Sequence, residues 1–240
     1  DLEDSVPIDQ KVETRTNLLS YIETKDFDKT ILIRVNPLDT KFGEDDISLL
    51  SDVSSKIDAF ILPKIEEADL LNDLPKNLVV LVETPKAVKN LGQLACHENV
   101  IGIALGGADL SATLGADMSW DSLLFTRSAI IIEAAINGLF TIDSPFMNIE
   151  DISSLKKEAG LSSSLGFDGK AAIHPDHIDY ITKSFLPDAK DIEEAKEILK
   201  AFNSSKEAVI AHKGKMIDMP IVLSMEKRLK LVGIDPKNID

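Results

Sequence analysis

The sequence has little cysteine: Cys96 is the one thiol among 240 residues. An internal disulfide is therefore excluded, and a reducing compartment such as the cytoplasm is expected. A targeting segment upstream of Asp1 would lie outside this sequence. We expect Cys96 to be a buried, inert thiol in a helix rather than a nucleophile.

Three other features that the sequence lacks restrict its function. The formal net charge is -15 and no run of Lys and Arg occurs, so a nucleic-acid partner is not expected. No stretch of about 18 apolar residues is present, so a membrane span is not expected. No G-x-G-x-x-G motif follows the first strand, which argues against dinucleotide binding. Because the overall field repels anions, an anionic substrate would need local positive charge or a metal ion.

The apolar pattern predicts a parallel α/β fold. With 44% hydrophobic and 28% charged residues, the chain suits a single globular domain of barrel size. Short apolar runs alternate with helical patterns at spacings of roughly 20–35 residues, as in a barrel or a doubly wound sheet. The predicted strands are 30–37, 59–64, 78–83, 101–109, 139–143 and 169–175. The predicted helices before and between them are 12–23, 44–51, 65–74, 86–97, 120–137 and 149–165.

The pattern changes after His174, where no further strand–helix unit follows. Residues 191–202 have an amphipathic helical pattern, residues 212–215 are predicted to form a polar loop, and a last helix starts at Pro220. We therefore divide the chain into a (β/α) barrel, residues 1–185, and a C-terminal helical extension, residues 186–240. The extension is expected to cover the barrel mouth or a neighbouring subunit.

Two carboxylates mark the predicted site. Glu83 and Asp109 each end a short apolar run, and they are 26 positions apart, about one strand–helix unit. They should stand at the same ends of neighbouring strands, where paired hard oxygen ligands suit Mg²⁺. The alternative is that each carboxylate caps the helix that follows its strand. Arg34, Lys64, Asp143 and His174 also fall at predicted carboxyl ends of strands, where barrel enzymes place their active sites.

Seven short motifs occur in the order that is typical of one enzyme family. They are residues 1–6 (DLEDSV), 34–37 (RVNP), 62–64 (LPK), 83–84 (ET), 106–110 (GGADL), 165–175 (LGFDGKAAIHP) and 214–220 (GKMIDMP). Through them essentially the whole chain resembles the citrate lyase β-subunit-like family of the HpcH/HpaI aldolase superfamily, with malyl-CoA and citramalyl-CoA lyases among its relatives. The resemblance implies a (β/α)8 TIM barrel with C-terminal helices, usually assembled as a homotrimer or a dimer of trimers. It also implies that the first strands and a helix, roughly 35–40 residues, belong upstream of Asp1.

The resemblance implies a Mg²⁺-dependent carbon–carbon lyase. Its substrate would be a 3-hydroxy-carboxyacyl thioester, of the malyl-, citramalyl- or citryl-CoA type, cleaved through an enolate. Glu83 and Asp109 would hold the metal, and Glu83, Gly106 and Gly107 would contact the substrate.

The remaining roles are assigned to charged residues elsewhere in the chain. Arg34 would bind the substrate and stabilise the enolate, or else form a salt bridge with Glu3 or Asp4. These two carboxylates would support the metal-bound waters or Arg34, or lie in a solvated turn. Asp218 would exchange a proton with the acyl carbon in a neighbouring subunit's site; the alternative is an Asp at a helix start.

Two departures from the family pattern leave the substrate open. Lys86 and Ala87 stand where Gly commonly follows the Glu-Thr motif, and Thr113 replaces a second acidic residue. The main alternative is the β subunit of a citrate lyase complex that acts on citryl-acyl-carrier protein. A third hypothesis is a non-catalytic barrel module. A fourth is a 2-oxoacid aldolase of the same superfamily, which the lack of any His before His97 argues against.

Overall fold

The computed structural model describes residues 1–51, 54–205 and 207–239. Its main sheet has six parallel strands that are hydrogen-bonded in the order in which they occur in the chain. The strands are β1 (Leu32–Arg34), β2 (Ala59–Leu62), β3 (Leu78–Val82), β4 (Val100–Leu105), β5 (Phe140–Asp143) and β6 (Gly169–Lys170). The prediction of an alternating, parallel α/β fold is confirmed.

The centre of this sheet is its most apolar part. All five residues of β3 are buried, and so are five of the six residues of β4. Strands covered on both sides have continuous apolar runs of this kind. The glycine Gly102 in β4 is required by packing, because a Cβ atom there would lie 2.5 Å from the Phe140 ring on β5. The apolar runs around Glu83 and Asp109 were therefore correctly interpreted as buried strands.

Helices follow most of the strands. They are α1 (Lys11–Thr24), α2 (Lys41–Ser51), α3 (Pro85–Lys89), α4 (Leu91–Ala95), α5 (Gly107–Leu114), α6 (Leu124–Asn137) and α7 (Ile152–Leu165). Gly138 ends α6 in the left-handed conformation (φ 68°), as the sequence predicted. Helices α1 and α2 are joined by a buried ion pair: Arg15 Nε donates to Asp46 Oδ1 at 2.5 Å. Asp46 Oδ2 accepts from the Asn36 amide at 2.9 Å, which fixes the loop after β1.

The chain forms two compact units. The first comprises residues 1–147 and 161–173, and the second comprises residues 148–160 and 174–240. The second contains α8 (Pro175–Phe185), α9 (Ala189–Asn203), the antiparallel pair β7 (Ile210–His212) and β8 (Lys215–Ile217), and α10 (Met219–Lys230). Its core is formed by apolar side chains of α9, β8 and α10, among them Leu199, Ile217 and Leu229.

Several local predictions were wrong. Residues 65–74 contain only a short 3₁₀ helix, Ala68–Leu71, and the helix predicted at 86–97 is divided at Asn90 into α3 and α4. The segment 212–215, predicted to be a loop, is the tight turn of the β7–β8 hairpin, where Lys213 and Gly214 have positive φ. Such turns need left-handed residues, and Lys is not the residue that usually marks them. Cys96 is exposed at the end of α4 rather than buried.

The prediction of a barrel is met in part. The six strands form a curled parallel half-barrel, and a closed sheet of eight strands is not present among the described residues. Within those residues, no helix is long and apolar enough to cross a membrane.

Candidate functional site

Glu83 lies directly after β3, at the carboxyl edge of the sheet. Only 3% of its surface is exposed, and its Oε1 accepts a hydrogen bond from the Lys64 amide N–H at 2.8 Å. The next residue, Thr84, caps α3: its side chain accepts from the Ala87 N–H at 3.1 Å. The cap of this helix is therefore Thr84 and not Glu83, so the alternative in which Glu83 serves only as a helix cap does not hold.

Gly106 and Gly107 lie where β4 passes into α5. A Cβ atom on Gly106 would lie 2.4 Å from Glu83 Cβ and 2.7 Å from Glu83 Oε2. A Cβ atom on Gly107 would lie 2.9 Å from Ser144 Oγ. Both glycines therefore allow a close approach between neighbouring strand ends, which any side chain would prevent.

Asp109 is placed differently from the prediction. Strand β4 ends at Leu105, and Asp109 lies half-buried in the first turn of α5 rather than at a strand end. A carboxylate in that position is stabilised by the positive end of the helix dipole. Its negative charge also reaches the cluster around Glu83, since it contributes to raising the pKa values of both Glu83 and Glu3.

Glu3 and Arg34 form an ion pair at the same edge. Arg34 Nη1 lies 2.8 Å from Glu3 Oε2, and the Nε and Nη2 groups of Arg34 each donate to Asp1 at 2.7 Å. Glu3 is 3% exposed and is fixed through its backbone, because the Lys11 ammonium donates to Glu3 O at 2.9 Å. The predicted ion pair of Arg34 with Glu3 is therefore present, whereas Asp4 is exposed.

The carboxylates of this edge repel one another. Burial, followed by the negative charges of Glu3 and Asp109, raises the pKa of Glu83 to about 8, although the Lys64 amide and ammonium oppose the shift. Burial is also the main cause that raises the pKa of Glu3, with Asp4 and Asp109 adding to it and Arg34 and Lys64 opposing it. The raised pKa values show that this environment disfavours the ionised forms of Glu83 and Glu3 unless a cation lies close by.

A divalent cation fits this arrangement. Glu83 is buried against two other acidic groups, and neither carboxylate oxygen of Glu3 accepts a hydrogen bond of good geometry from the described residues. No set of three or more His, Cys, Asp or Glu side chains in the described part of the chain is arranged to hold a metal. Two carboxylates are nevertheless a common protein contribution to a Mg²⁺ site, where waters and substrate oxygens complete the coordination.

A second charged cluster lies behind Gly107, and the sequence did not single it out as a unit. Asp143, the last residue of β5, accepts from Arg127 Nε at 2.8 Å and from Lys170 Nζ at 2.9 Å, and from the Ser162 hydroxyl. The Arg127, Asp143 and Lys170 side chains are fully buried. Burial opposes ionisation of Asp143, but Lys170 and Arg127 hold its pKa below its usual value. Arg127 Nη2 also donates to Ser144 Oγ at 3.4 Å, the atom that Gly107 approaches.

The other predicted site residues lie elsewhere. Asp218 belongs to the second compact unit, where it caps α10: its Oδ1 accepts from the Ile221 N–H at 3.4 Å. His174 caps α8 by accepting from the Asp176 N–H, so in this structure it has a structural role. Lys86, one of the departures from the family pattern, donates to Glu67 Oε1 at 2.6 Å and is half-exposed.

Carboxylates, an arginine and two adjacent glycines lie at the carboxyl ends of the parallel strands. This arrangement defines the class of the protein as an α/β enzyme with an acidic site. A family model described as HpcH/HpaI aldolase/citrate lyase matches residues 1–175. The chain belongs to this family, which confirms the resemblance found in the sequence.

Named relatives agree with this family. The citrate lyase subunit beta of Leuconostoc mesenteroides is 30% identical over 97% of this chain and 84% of its own length. A (3S)-malyl-CoA thioesterase of Cereibacter sphaeroides is 30% identical over 91% of this chain and 80% of its own length. Other relatives are named malyl-CoA lyase and citramalyl-CoA lyase. Apart from the thioesterase, these relatives are lyases or lyase subunits, and the expectation of a lyase is confirmed at the level of the family.

The fold agrees with a solved relative. The CitE protein of Mycobacterium tuberculosis, in complex with magnesium, acetoacetate and coenzyme A, has a TM-score of 0.82 against this chain, at 28% identity. The alignment covers 98% of this chain and 88% of that protein.

Proposed function

We propose that this protein is a Mg²⁺-dependent carbon–carbon lyase that cleaves a 3-hydroxy-carboxyacyl thioester of the malyl-, citramalyl- or citryl-CoA type. The products would be an acyl thioester and an oxoacid. The observation that carries the proposal is the acidic cluster of Glu3, Glu83 and Asp109, in which the pKa of Glu83 is raised to about 8 beside Arg34 and the double glycine. Such a cluster is complementary to a divalent cation, and magnesium is bound by the solved relative CitE.

Glu83 and Asp109 would hold the metal, and Glu3 and Asp4 would orient its water ligands from behind. When bound, Mg²⁺ supplies a Lewis acid and a template for the substrate carboxylate and the adjacent oxygen. Gly106 and Gly107 would contact the substrate through their backbone, because Glu83 and Ser144 already fill the space that side chains at these positions would need. Mg²⁺ commonly keeps such sites partly open, because one or two carboxylates leave positions for substrate oxygens.

Arg34 would stabilise the negative charge that develops in the reaction, and Asp218 would supply a proton. Cleavage would leave the electron pair of the broken carbon–carbon bond on the acyl carbon, as a thioester enolate. The substrate hydroxyl would lose its proton to solvent and become the carbonyl of the oxoacid. The Arg34 guanidinium, which stays charged at any working pH, would stabilise the enolate oxygen. Asp218 would give a proton to the acyl carbon in a neighbouring subunit.

The proposal extends to the complete barrel and to the assembly of several subunits. We propose that residues 1–185 belong to a (β/α)8 TIM barrel and that residues 186–240 form a C-terminal extension that acts in a neighbouring subunit, in a homotrimer or hexamer. Asp218 Oδ1 caps α10, which is the structural alternative for this residue, so its proposed role in catalysis rests on the resemblance of residues 214–220 to the family motif.

A second candidate is the β subunit of a citrate lyase complex, with citryl-acyl-carrier protein as substrate. It is favoured by the 30% identity to the Leuconostoc mesenteroides subunit over almost the whole chain. The carrier distinguishes the two candidates, because both need the same acidic site. Because one relative is named malyl-CoA thioesterase, the test also measures hydrolysis of the thioester. A non-catalytic barrel is disfavoured by the intact Arg34, Glu83, Asp109 and Asp218.

The test is to incubate the protein with malyl-, citramalyl- and citryl-CoA, with Mg²⁺ or with EDTA, and to measure released oxoacid, free thiol and acyl-CoA. Glu83→Ala is the matched inactive variant. Metal-dependent release of oxoacid that the variant lacks supports the lyase and identifies the acyl group. Release of free thiol without oxoacid would identify a thioesterase. If Mg²⁺ binds and no CoA ester reacts, the carrier-protein substrate is favoured; failure to bind Mg²⁺ would overturn the lyase proposal.

A further inference from the structure

Lys64 connects two of the carboxylates of the acidic cluster through different parts of the same residue. It follows β2 and Pro63, and its backbone is left-handed, with φ 55°. This conformation is uncommon for a residue with a side chain, and the surrounding structure must hold it in place. In this conformation the Lys64 backbone N–H donates a hydrogen bond to Glu83 Oε1 at 2.8 Å. The backbone of Lys64 thus orients the residue that would bind the metal.

The side chain of Lys64 turns to the other glutamate. Its Nζ lies 3.7 Å from Glu3 Oε1, and about half of the side chain (47%) is exposed. Burial disfavours the charged ammonium, but the carboxylates of Glu3, Glu83, Asp109 and Asp4 together raise the pKa of Lys64. The flexible Lys64 ammonium therefore interacts with all four carboxylates, while part of the Lys64 side chain remains exposed to solvent.

Lys64 and a divalent cation would be attracted by the same negative charge. When Mg²⁺ is held by Glu83 and Asp109, the ammonium meets a second cation close by, and like charges at this separation repel each other. Because the side chain is half-exposed and long, it can turn toward solvent without any change in the buried strands. In that position it would meet the anionic substrate, whose carboxylate approaches a protein with a net charge of -15.

We propose that Lys64 is a positioning residue with two separable tasks, resting on the function proposed above. Its left-handed backbone holds Glu83 for the metal. Its ammonium compensates the acidic cluster while no metal is bound, competes with Mg²⁺, and is released toward the substrate carboxylate when Mg²⁺ binds. The ammonium stays charged throughout, so Lys64 itself takes up and releases no proton in this exchange.

Removal of the ammonium alone should have opposite effects on metal binding and on substrate binding. Lys64→Met keeps the length of the side chain and removes its charge. Mg²⁺ binding should become tighter, by about threefold to tenfold, which is the size expected for removing one nearby and partly screened charge. KM for the thioester should rise, because the cation that meets the substrate is lost. The metal-free variant should melt at a lower temperature than the metal-free wild type.

Two more variants separate the backbone from the charge. Lys64→Gly also removes the charge and adopts the left-handed backbone without strain, so it should share the tighter Mg²⁺ binding of Lys64→Met. Lys64→Arg keeps the charge and should bind Mg²⁺ within about twofold of the wild type. Lys86→Met is the matched control, because Lys86 also pairs with two glutamates, Glu66 and Glu67, outside the cluster. Its Mg²⁺ affinity should be unchanged.

The experiment is isothermal titration of the metal-free protein and these variants with MgCl₂, together with thermal melting in EDTA. Tighter binding in both Lys64→Met and Lys64→Gly, lost at high salt, supports the proposal. Unchanged or weaker binding in Lys64→Gly with a native circular dichroism spectrum would overturn it, since a purely structural lysine lowers the melting temperature without changing Kd in this direction. A wild type that binds Mg²⁺ but cleaves no thioester would overturn only the proposed function, whereas a wild type that binds no Mg²⁺ overturns both.

Discussion

Glu83 and Gly106 approach each other so closely that position 106 has no room for a side chain. A Cβ atom there would lie 2.4 Å from Glu83 Cβ, which real structures essentially never show. The contact joins the end of β3 to the end of β4, because the Gly106 N–H also donates to Val82 O at 2.9 Å. The position of the Glu83 carboxylate therefore depends on this glycine.

Gly106→Ala should move Glu83 and weaken its interaction with the metal. We expect kcat/KM to fall by about 100-fold, which is the size of effect that a displacement of about 1 Å has at a reacting centre. The measurement is thioester cleavage together with Mg²⁺ titration. Gly160→Ala is the matched control, because a Cβ atom at this position in α7 would meet nothing within 4 Å, and both properties should stay as in the wild type. Equal activity of the two variants would contradict the role given to Gly106.

The metal-free protein should lose stability as the pH rises toward 8. The pKa of Glu83 is raised from 4.5 to about 8 in the folded protein, so the folded state binds more protons than the unfolded state between these values. The free energy of unfolding should therefore decrease through this window, by up to about 1.4 kcal/mol per pH unit from this group. Urea denaturation in EDTA at several pH values measures the slope.

Glu83→Gln should remove this contribution to the slope, because glutamine does not ionise. Glu67→Gln, which changes an exposed glutamate paired with Lys86, should keep the slope of the wild type. A slope that is the same in Glu83→Gln and in the wild type would show that the proton is held elsewhere.

Arg34→Lys should impair catalysis more than folding. Arg34 uses three nitrogens, two on Asp1 and one on Glu3, and a lysine ammonium cannot reproduce this fork. If Arg34 stabilises the enolate, kcat should fall by about 10²–10³-fold, as when an oxyanion donor is lost. Arg228→Lys, in a partly exposed pair with Asp191, is the control and should leave kcat unchanged. A reduced melting temperature with full kcat would instead identify Arg34 as a structural residue.

Asp143→Asn should destabilise the fold strongly. The substitution leaves the buried cations Arg127 and Lys170 without their shared carboxylate, and breaking a buried pair in this way typically costs about 3–5 kcal/mol. Because the pKa of Asp143 is lowered from 3.8, its contribution is present above that pH and is lost as the pH falls through the folded-state pKa. Chemical denaturation at pH 7 measures the loss. Glu194→Gln, in an exposed pair with Lys215, should have no measurable effect.

Asp218→Asn should be rescued by a partner with an intact Asp218. If Asp218 acts in a neighbouring subunit, mixing inactive Asp218→Asn with inactive Glu83→Ala should restore part of the activity, because some sites then combine an intact Glu83 with an intact Asp218. The measurement is activity after the two variants are unfolded together and refolded. Proteins refolded separately and then mixed are the control. No recovery in the co-refolded sample would place the role of Asp218 within its own subunit or outside catalysis.

The sequence predicted the sheet better than it predicted the geometry of the site. The buried strands β3 and β4 are continuous apolar runs, and this signal does not depend on their neighbours. Glu83 was recognised because it ends such a run. Asp109 was assigned to the same kind of position, but β4 ends four residues earlier, at Leu105, and the two glycines start a helix. A Gly-Gly pair can continue a strand end, form a turn or begin a helix, and local propensity does not separate these possibilities.

Other parts of the site depend on contacts over long distances in the chain. The hydrogen bonds of the Lys64 backbone and of the Asp143 cluster join residues that are 16 to 27 positions apart, so no local pattern reveals them. The sequence did show a charged residue in each of two predicted strands, Asp143 and Lys170. This signal did not indicate that the two side chains form an ion pair. The family resemblance supplied roles for Arg34 and Asp218, and the ion pair of Arg34 with Glu3 was foreseen as an alternative, but nothing in the sequence indicated that Asp1 accepts two hydrogen bonds from Arg34.

The strand order of the main sheet bears on how this protein folds during synthesis. Strands β1 to β6 are neighbours in space in the order in which they occur in the chain. Each new strand that leaves the ribosome therefore finds its pairing edge already synthesised, and no strand has to wait for a distant segment. Pairings between nearby segments keep the contact order low, which favours fast folding and shortens the time for which an apolar strand such as β3 is exposed.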